Sequence, residues 1–203
     1  MATNTKERIL ETTAEMFRRY GYTGTGLKQI VADANAPFGS LYHFFPGGKE
    51  QLGDEVIRRS GRMYMELVAA VFDAAPDPVT GAGDVFSGAA EVLRQTDYAD
   101  ACPIATVALE VASSNETLRM ATADVFDSWV ESATGHFTGA GIPAGKARAL
   151  ALLIIEMLEG AFLLSRALRT TEPMDVAGEA AAAAVRSALP ARRAGRRRGS
   201  VQG

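Results

Sequence analysis

The chain has 203 residues, 47% of them apolar and 22% charged, an ordinary globular composition. Its charges sum to −3, which excludes a wholly basic nucleic-acid coat but not a local basic surface. One cysteine excludes an intramolecular disulfide framework and a cysteine-rich zinc cluster, and two histidines, His43 and His136, leave little for a metal site. No metal and no cofactor are therefore expected.

No apolar run approaches the length of a bilayer span, since the longest, Ala149 to Ile155, runs into Glu156 and Glu159. The polar start MATNTKERIL lacks the apolar core of a signal peptide, so a cytoplasmic protein without membrane contact is expected. The charge is graded. Residues 1–60 are nearly balanced, residues 61–189 hold 17 acids against 8 bases, and residues 190–203 hold five arginines and no acid. Such asymmetry suits a polyanion partner for the head and suits solubility equally well.

Apolar residues recur at spacings of three and four throughout, which predicts an all-α protein of about nine helices. The first helix spans Lys6 to Tyr20, with Ile9, Leu10, Thr13, Phe17 and Tyr20 on one face, and Gly21 stops it. A second runs from Leu27 to Ala34, with Thr25 as its expected N-cap and Asn35 as its left-handed stop. A short third helix, Phe38 to Phe44 or Phe45, follows Pro37 and ends at Pro46-Gly47-Gly48. The fourth runs from near Lys49 to about Phe72. Residues 74–83, with Pro76, Pro78, Gly81 and Gly83, read as a loop. Further helices are expected at 84–96, 103–112, 116–136, 144–169 and 175–188, and the arginine-rich segment 191–203 has no apolar face and is expected to be disordered.

Two short helices joined by a tight turn over residues 25–45 make a helix-turn-helix. Its second helix must present small and polar residues to fit a DNA groove about 12 Å wide. Gly39 and Ser40 carry little bulk, Tyr42 and His43 are long enough to reach phosphate or base edges, and Leu41 with Phe44 or Phe45 can face the core.

On these residues the chain resembles the TetR family of transcriptional regulators. Phe17, Gly21 and Tyr22 match the end of its first helix, Thr25, Ile30 and Ala34 its second, and Leu41-Tyr42 its recognition helix. Phe45, Lys49 and Leu52 match the entry to its fourth. The spacing PGGKEQL at 46–52 and the stretch ACPIATVALE at 101–110 resemble the branch around the LmrA and YxaF repressors of multidrug-transporter genes. The chain departs from the family at Asn35, where a glycine is usual, and at Ala36-Pro37, where Val-Ser is frequent and a hydroxyl is lost.

The resemblance implies a helix-turn-helix domain over 1–48, a linking helix 49–72, and an effector-binding and dimerisation domain over 49–190. It implies a homodimeric repressor on a palindromic double-stranded DNA operator, released by a small lipophilic ligand. The candidate DNA contacts are Thr25, Lys28, Pro37, Phe38, Gly39, Ser40, Tyr42, His43 and Lys49. Each has a plainer reading as a cap, a solvated side chain or a half-buried ring.

The run ALALLIIEMLEGAFLL is apolar almost all round, so its helix must be buried on more than one side. Ile155, Leu158 and Phe162, with Ala180 and Ala184 of the last helix, are the candidate dimer face. Candidate ligand-lining residues are Phe86, Met120, Phe126, Trp129, Val130, Phe137 and Met157, each of which also reads as ordinary core. Glu110, Glu156 or Glu159 is available to a cationic compound or to a surface or interface role.

No nucleophile elbow, zinc-protease motif, phosphate loop or dinucleotide fingerprint is present, and no enzyme activity is expected. The alternatives are a DNA-binding regulator that needs no ligand or activates, and a helical adaptor that binds protein and not DNA. Steep weakening of binding with salt separates DNA binding from the adaptor.

Overall fold

The computed structural model describes residues 4–190, and nine helices lie among them. The arginine-rich segment 191–203 falls outside the described residues.

Helix α1 (Thr5–Tyr20) is opened by Asn4, whose side chain accepts from the Lys6 amide, and is closed by Gly21 at φ 70°. Helix α2 (Leu27–Asp33) and helix α3 (Phe38–Phe44) follow, separated by Asn35 at φ 47°, the left-handed turn that the sequence requires there. Helix α4 (Gly48–Ala74) is 27 residues long and links this head to the rest. The body contains α5 (Pro78–Gln95), α6 (Pro103–Val111), α7 (Glu116–Gly139), α8 (Ala144–Leu168) and α9 (Glu172–Ala188). In it α5 packs on α9, α8 packs on both α7 and α9, and α4 lies along α7. Helix α6 meets α1, α4 and α7.

Two expectations are corrected at this level. Helix α5 starts at Pro78, not at residue 84. Asp77 caps it, its Oδ1 accepting from the Val79 and Thr80 amides at 2.9 and 3.0 Å, with Pro78 in the first turn where its missing N–H is no loss. Gly81 is a packing residue rather than a helix breaker, because a Cβ there would stand 2.8 Å from the Phe72 ring. The second correction concerns Thr25. The N-cap of α2 is Gly26, and the Thr25 hydroxyl instead donates to the Gly21 carbonyl at 2.6 Å in a fully buried setting.

Two cores hold the molecule. The first joins Phe17, Ile30, Leu41, Phe45 and Leu52 to Ile104, Val107 and Leu118, so the head shares its interior with α6 and α7. The second gathers Phe86, Leu93, Phe137, Ile154, Met174 and Val185 between α5, α7, α8 and α9.

Candidate DNA-reading helix and internal cavity

Helix α3 is anchored from beneath by Leu41 and Phe45, both fully buried. The opposite side is open. Phe38 and Tyr42 are 45% and 48% exposed, with their rings edge-to-face at 5.8 Å, and Pro37, Gly39 and His43 are exposed beside them. Nothing lies within 4 Å of where a Gly39 Cβ would be, so this face meets only solvent. Ser40 is half-buried, and Lys28 projects from the exposed side of α2. Phe44 is half-buried and edge-to-face with His43 at 4.9 Å.

The turn is held by a residue that the sequence did not single out. Arg8 of α1 donates from Nε to the Ala34 carbonyl at 3.0 Å and from a terminal nitrogen to the Asn35 carbonyl at 3.1 Å. Its partners are 26 and 27 residues away, beyond any local pattern.

Two of the candidate DNA contacts are placed differently. Thr25 has no exposed surface, so its side chain is a buried brace and not a phosphate ligand. Lys49 lies over the Tyr22 ring, its Nζ 4.3 Å from the centroid, and burial pulls its ammonium below the usual lysine range while the nearby Glu110 pushes it back up.

Glu110 of α6 fastens the head to the body. Its carboxylate accepts from the Tyr22 amide at 3.1 Å and from the Thr23 amide at 2.6 Å. Glu50 accepts from Asn115 at 2.7 Å and from Thr117 at 3.2 Å. Arg18 donates to Asp100 at 2.8 Å, with Arg19 reaching the same carboxylate at 3.4 Å.

The body encloses a cavity of about 410 Å³ between α4, α5, α7 and α8. Its wall is largely aliphatic and aromatic, with Val68, Phe72, Val85, Trp129, Phe137 and Leu158 among its residues. Trp129 is oriented by a bond from its Nε1 to the Gly61 carbonyl at 2.8 Å. His136 stacks on Phe72 at 5.5 Å. The polar lining is sparse and includes the Arg18–Asp100 pair, Tyr64, Cys102 and Glu159. Burial pushes the Tyr64 phenol and the Cys102 thiol up, the latter with help from the neighbouring Glu159. Burial also pushes the Glu159 carboxyl up to about 7.

Of the expected lining residues, Trp129 and Phe137 reach this wall. Phe86 and Val130 are buried in the second core, Met157 packs against that core, Phe126 packs against the first, and Met120 is exposed on α7. The expected dimer residues Ile155, Leu158 and Phe162 turn inward and line the cavity. The outer side of α8 instead carries Leu153, Gly160, Leu163 and Leu164, all exposed. On α9, Ala180 is exposed beside Val176 and Ala183, and Ala184 is half-buried.

Among the described residues, no helix is long and apolar enough to cross a membrane, and no cluster of three or more His, Cys, Asp or Glu side chains is placed to hold a metal ion.

Comparison with known proteins yields two family matches. Residues 9–56 match the model of bacterial regulatory proteins of the tetR family, and residues 78–180 match the C-terminal domain of LmrA/YxaF-like transcriptional regulators. The HTH-type transcriptional regulator YxaF of Bacillus subtilis (strain 168) is 34% identical over 171 residues, covering 84% of this chain and 90% of its own. LmrA of the same organism is 29% identical over 171 residues, covering 84% and 91%. In fold, the chain is similar to a TetR regulatory protein from Rhodobacter sphaeroides, with TM-score 0.80, 21% identity, and 88% and 97% of the two chains covered. It is also similar to reduced NemR of E. coli, with TM-score 0.76, 21% identity, and 93% and 98% covered.

Proposed function

Because the chain belongs to the TetR family of DNA-binding transcriptional regulators, we propose that it is a homodimeric repressor of the LmrA/YxaF-like kind, released from a palindromic operator when a small lipophilic ligand fills the body cavity. The observation that carries this reading is the build of α3, which is pinned by Leu41 and Phe45 and offers Pro37, Phe38, Gly39, Ser40, Tyr42 and His43 outward. A short helix anchored on one side and open on the other can enter a major groove with its outer residues at the base edges and the flanking backbone. Lys28 adds a phosphate contact from α2.

A palindromic operator calls for two such helices about one DNA turn apart, roughly 34–36 Å, and hence for two chains related by a twofold axis. Helices α8 and α9 pack together and leave exposed small and aliphatic side chains on their outer sides. This favours an isologous four-helix interface through Leu153, Gly160 and Leu164 with Val176, Ala180 and Ala183. The cavity shares α4 with the head, so a ligand that prefers one α4 position alters the spacing of the two α3 helices. It weakens DNA binding to the extent that it binds the DNA-incompetent state better. The protein acts in this reading as a regulator and not as a catalyst.

Selection of bound DNA from a random pool, followed by mobility shift, tests the reading. Wild type is expected to enrich a palindrome and to lose affinity steeply as salt rises. Lys28→Ala is expected to weaken binding to all sequences alike and to lower the salt slope by about 1, whereas Tyr42→Phe weakens binding without unfolding the chain. Failure to enrich any sequence, or affinity that is flat in salt, would refute DNA reading by α3.

A further inference from the structure

The cavity wall carries one acid that the fold does not neutralise. Glu159 projects from α8 into the space, with the Cys102 thiol as its hydrogen-bonding neighbour. No lysine, arginine or histidine forms an ion pair with it among the described residues. The other charges at the wall are settled or of the same sign. Arg18 of α1 is paired with Asp100 of the α5–α6 connection at 2.8 Å, and Arg19 draws on that same carboxylate. Asp84 of α5 is an exposed acid at the edge of the cavity. Tyr64 of α4 and His136 of α7 complete the titratable groups around the space.

We propose that the cavity is selective for a lipophilic monocation, a flat or branched organic amine or iminium of drug size, whose positive group docks on the Glu159 carboxylate while its apolar body lies among Val68, Phe72, Trp129 and Leu158. The proposal deepens the reading of this cavity as the effector site and rests on it. The volume, about 410 Å³, lies within the range of sites that enclose a drug-sized molecule. Apolar surroundings make a carboxyl hold its proton more tightly, and they hold a cation only where an anion can form beside it. A neutral ligand gains the wall but nothing from Glu159. An anionic ligand is repelled by Glu159 and finds Arg18 already occupied. The aromatic faces of Trp129 and Phe72 add further attraction for positive charge.

The carboxyl is poised near neutrality, with burial holding it up at about 7. A cation therefore binds better as pH rises through that value and Glu159 gives up its proton, while a neutral ligand of the same shape is indifferent. Of the groups around the cavity, the buried Tyr64 and Cys102 are pushed up, away from this window. His136 stands in the same wall, stacked on Phe72, so the Glu159 variant is needed to assign the effect.

The probes are two benzophenoxazine dyes of closely similar shape, cationic Nile blue and neutral Nile red, titrated into the full-length protein. Dye emission and quenching of the chain's single tryptophan, Trp129, report occupancy of the cavity. The expected result is a Nile blue affinity at least about tenfold above that of Nile red near pH 8, shrinking to about twofold near pH 5.5. Glu159→Gln is expected to cost Nile blue about tenfold near pH 8 and to change Nile red by less than about twofold. Gln has the shape of the protonated carboxyl, so the fold is retained, and the two dyes compared on wild type alone make a second test that needs no variant.

Equal affinities on wild type, or a Nile blue preference that survives Glu159→Gln unchanged, would overturn the cation assignment while leaving the cavity as an effector site. Failure of both dyes to bind at saturating concentration would overturn the effector-site reading and this proposal together.

Discussion

Arg18 of α1 donates from Nε to the Asp100 carboxylate at 2.8 Å, and both side chains lie in the wall of the body cavity. A residue of the head thus forms part of the chamber in the body. Asp100 is largely enclosed and serves Arg19 as well. Asp100→Ala leaves the partly buried Arg18 without its carboxylate, and the free energy of unfolding is expected to fall by about 1–3 kcal/mol. Denaturant melts of the variant and of Asp100→Asn check this, the amide retaining one acceptor and most of the stability.

A second fastening between head and body sits at Gly21. Its backbone, φ 70° and ψ −175°, belongs to a region that essentially only glycine uses, and a Cβ there would stand 1.7 Å from Glu110 Oε1. Gly21→Ala is expected to cost at least about 1–3 kcal/mol from the backbone alone. It also displaces the carboxylate that accepts from the Tyr22 and Thr23 amides. A double-mutant cycle with Glu110→Ala should show strong non-additivity, since both changes break the same joint. Additive costs would mean that the carboxylate moves aside freely.

Thr25 and Tyr42 should separate cleanly in experiment. Thr25→Val keeps the shape but removes the donor to the Gly21 carbonyl, and is expected to lower stability by about 1–2 kcal/mol with DNA affinity of the folded protein unchanged within about twofold. Tyr42→Ala, on the exposed side of α3, is expected to do the reverse. Thermal melts beside mobility shifts on the same preparations distinguish the two.

The pH dependence of stability should carry the signature of Glu159. Its carboxyl is raised from an ordinary 4.5 to about 7 by burial, so the folded state binds the proton more tightly than the unfolded chain. Its contribution is fully present below about 4.5 and is lost as pH rises through 7, roughly 3 kcal/mol over that window. Glu159→Gln is expected to be more stable than wild type near pH 8 and equal to it near pH 4.5. Urea melts across the range read the difference directly.

Leu164→Glu places a charge on the outer side of α8, twice over if two chains meet there by a twofold axis. It is expected to convert a dimer to a monomer in sedimentation and to abolish operator binding while the helical content stays constant.

The helix-turn-helix was legible because its signals are local. Asn35 at the turn, Pro37 before α3 and the apolar spacing of Ile30, Leu41 and Phe45 all act within a few residues of where they are read. The start of α5 was hidden because Gly81 and Gly83 carry the composition of a loop, and only the Phe72 ring packed against Gly81 explains why a small residue belongs inside that helix. The cavity wall was legible at Trp129 and Phe137 but not along α8. There the run from Leu150 to Leu164 is apolar at nearly every angle, so periodicity offers no preferred side. The packing of α7 and α9 against it, which no periodicity within α8 encodes, decides which leucines turn inward.

Each residue along α8 turns the helix by 100°, and its inner and outer leucines alternate within single turns. Leu158 faces the chamber and Leu164 faces away, six residues later and about 120° around the cylinder. Substitution at either site leaves the other undisturbed, so binding preference and assembly can drift separately in a mutagenised library. Insertion or deletion of one residue near Met157 rotates everything downstream by about 100° and takes both sets off their faces at a stroke. Such a library should recover many point variants through this helix and almost no change in its length.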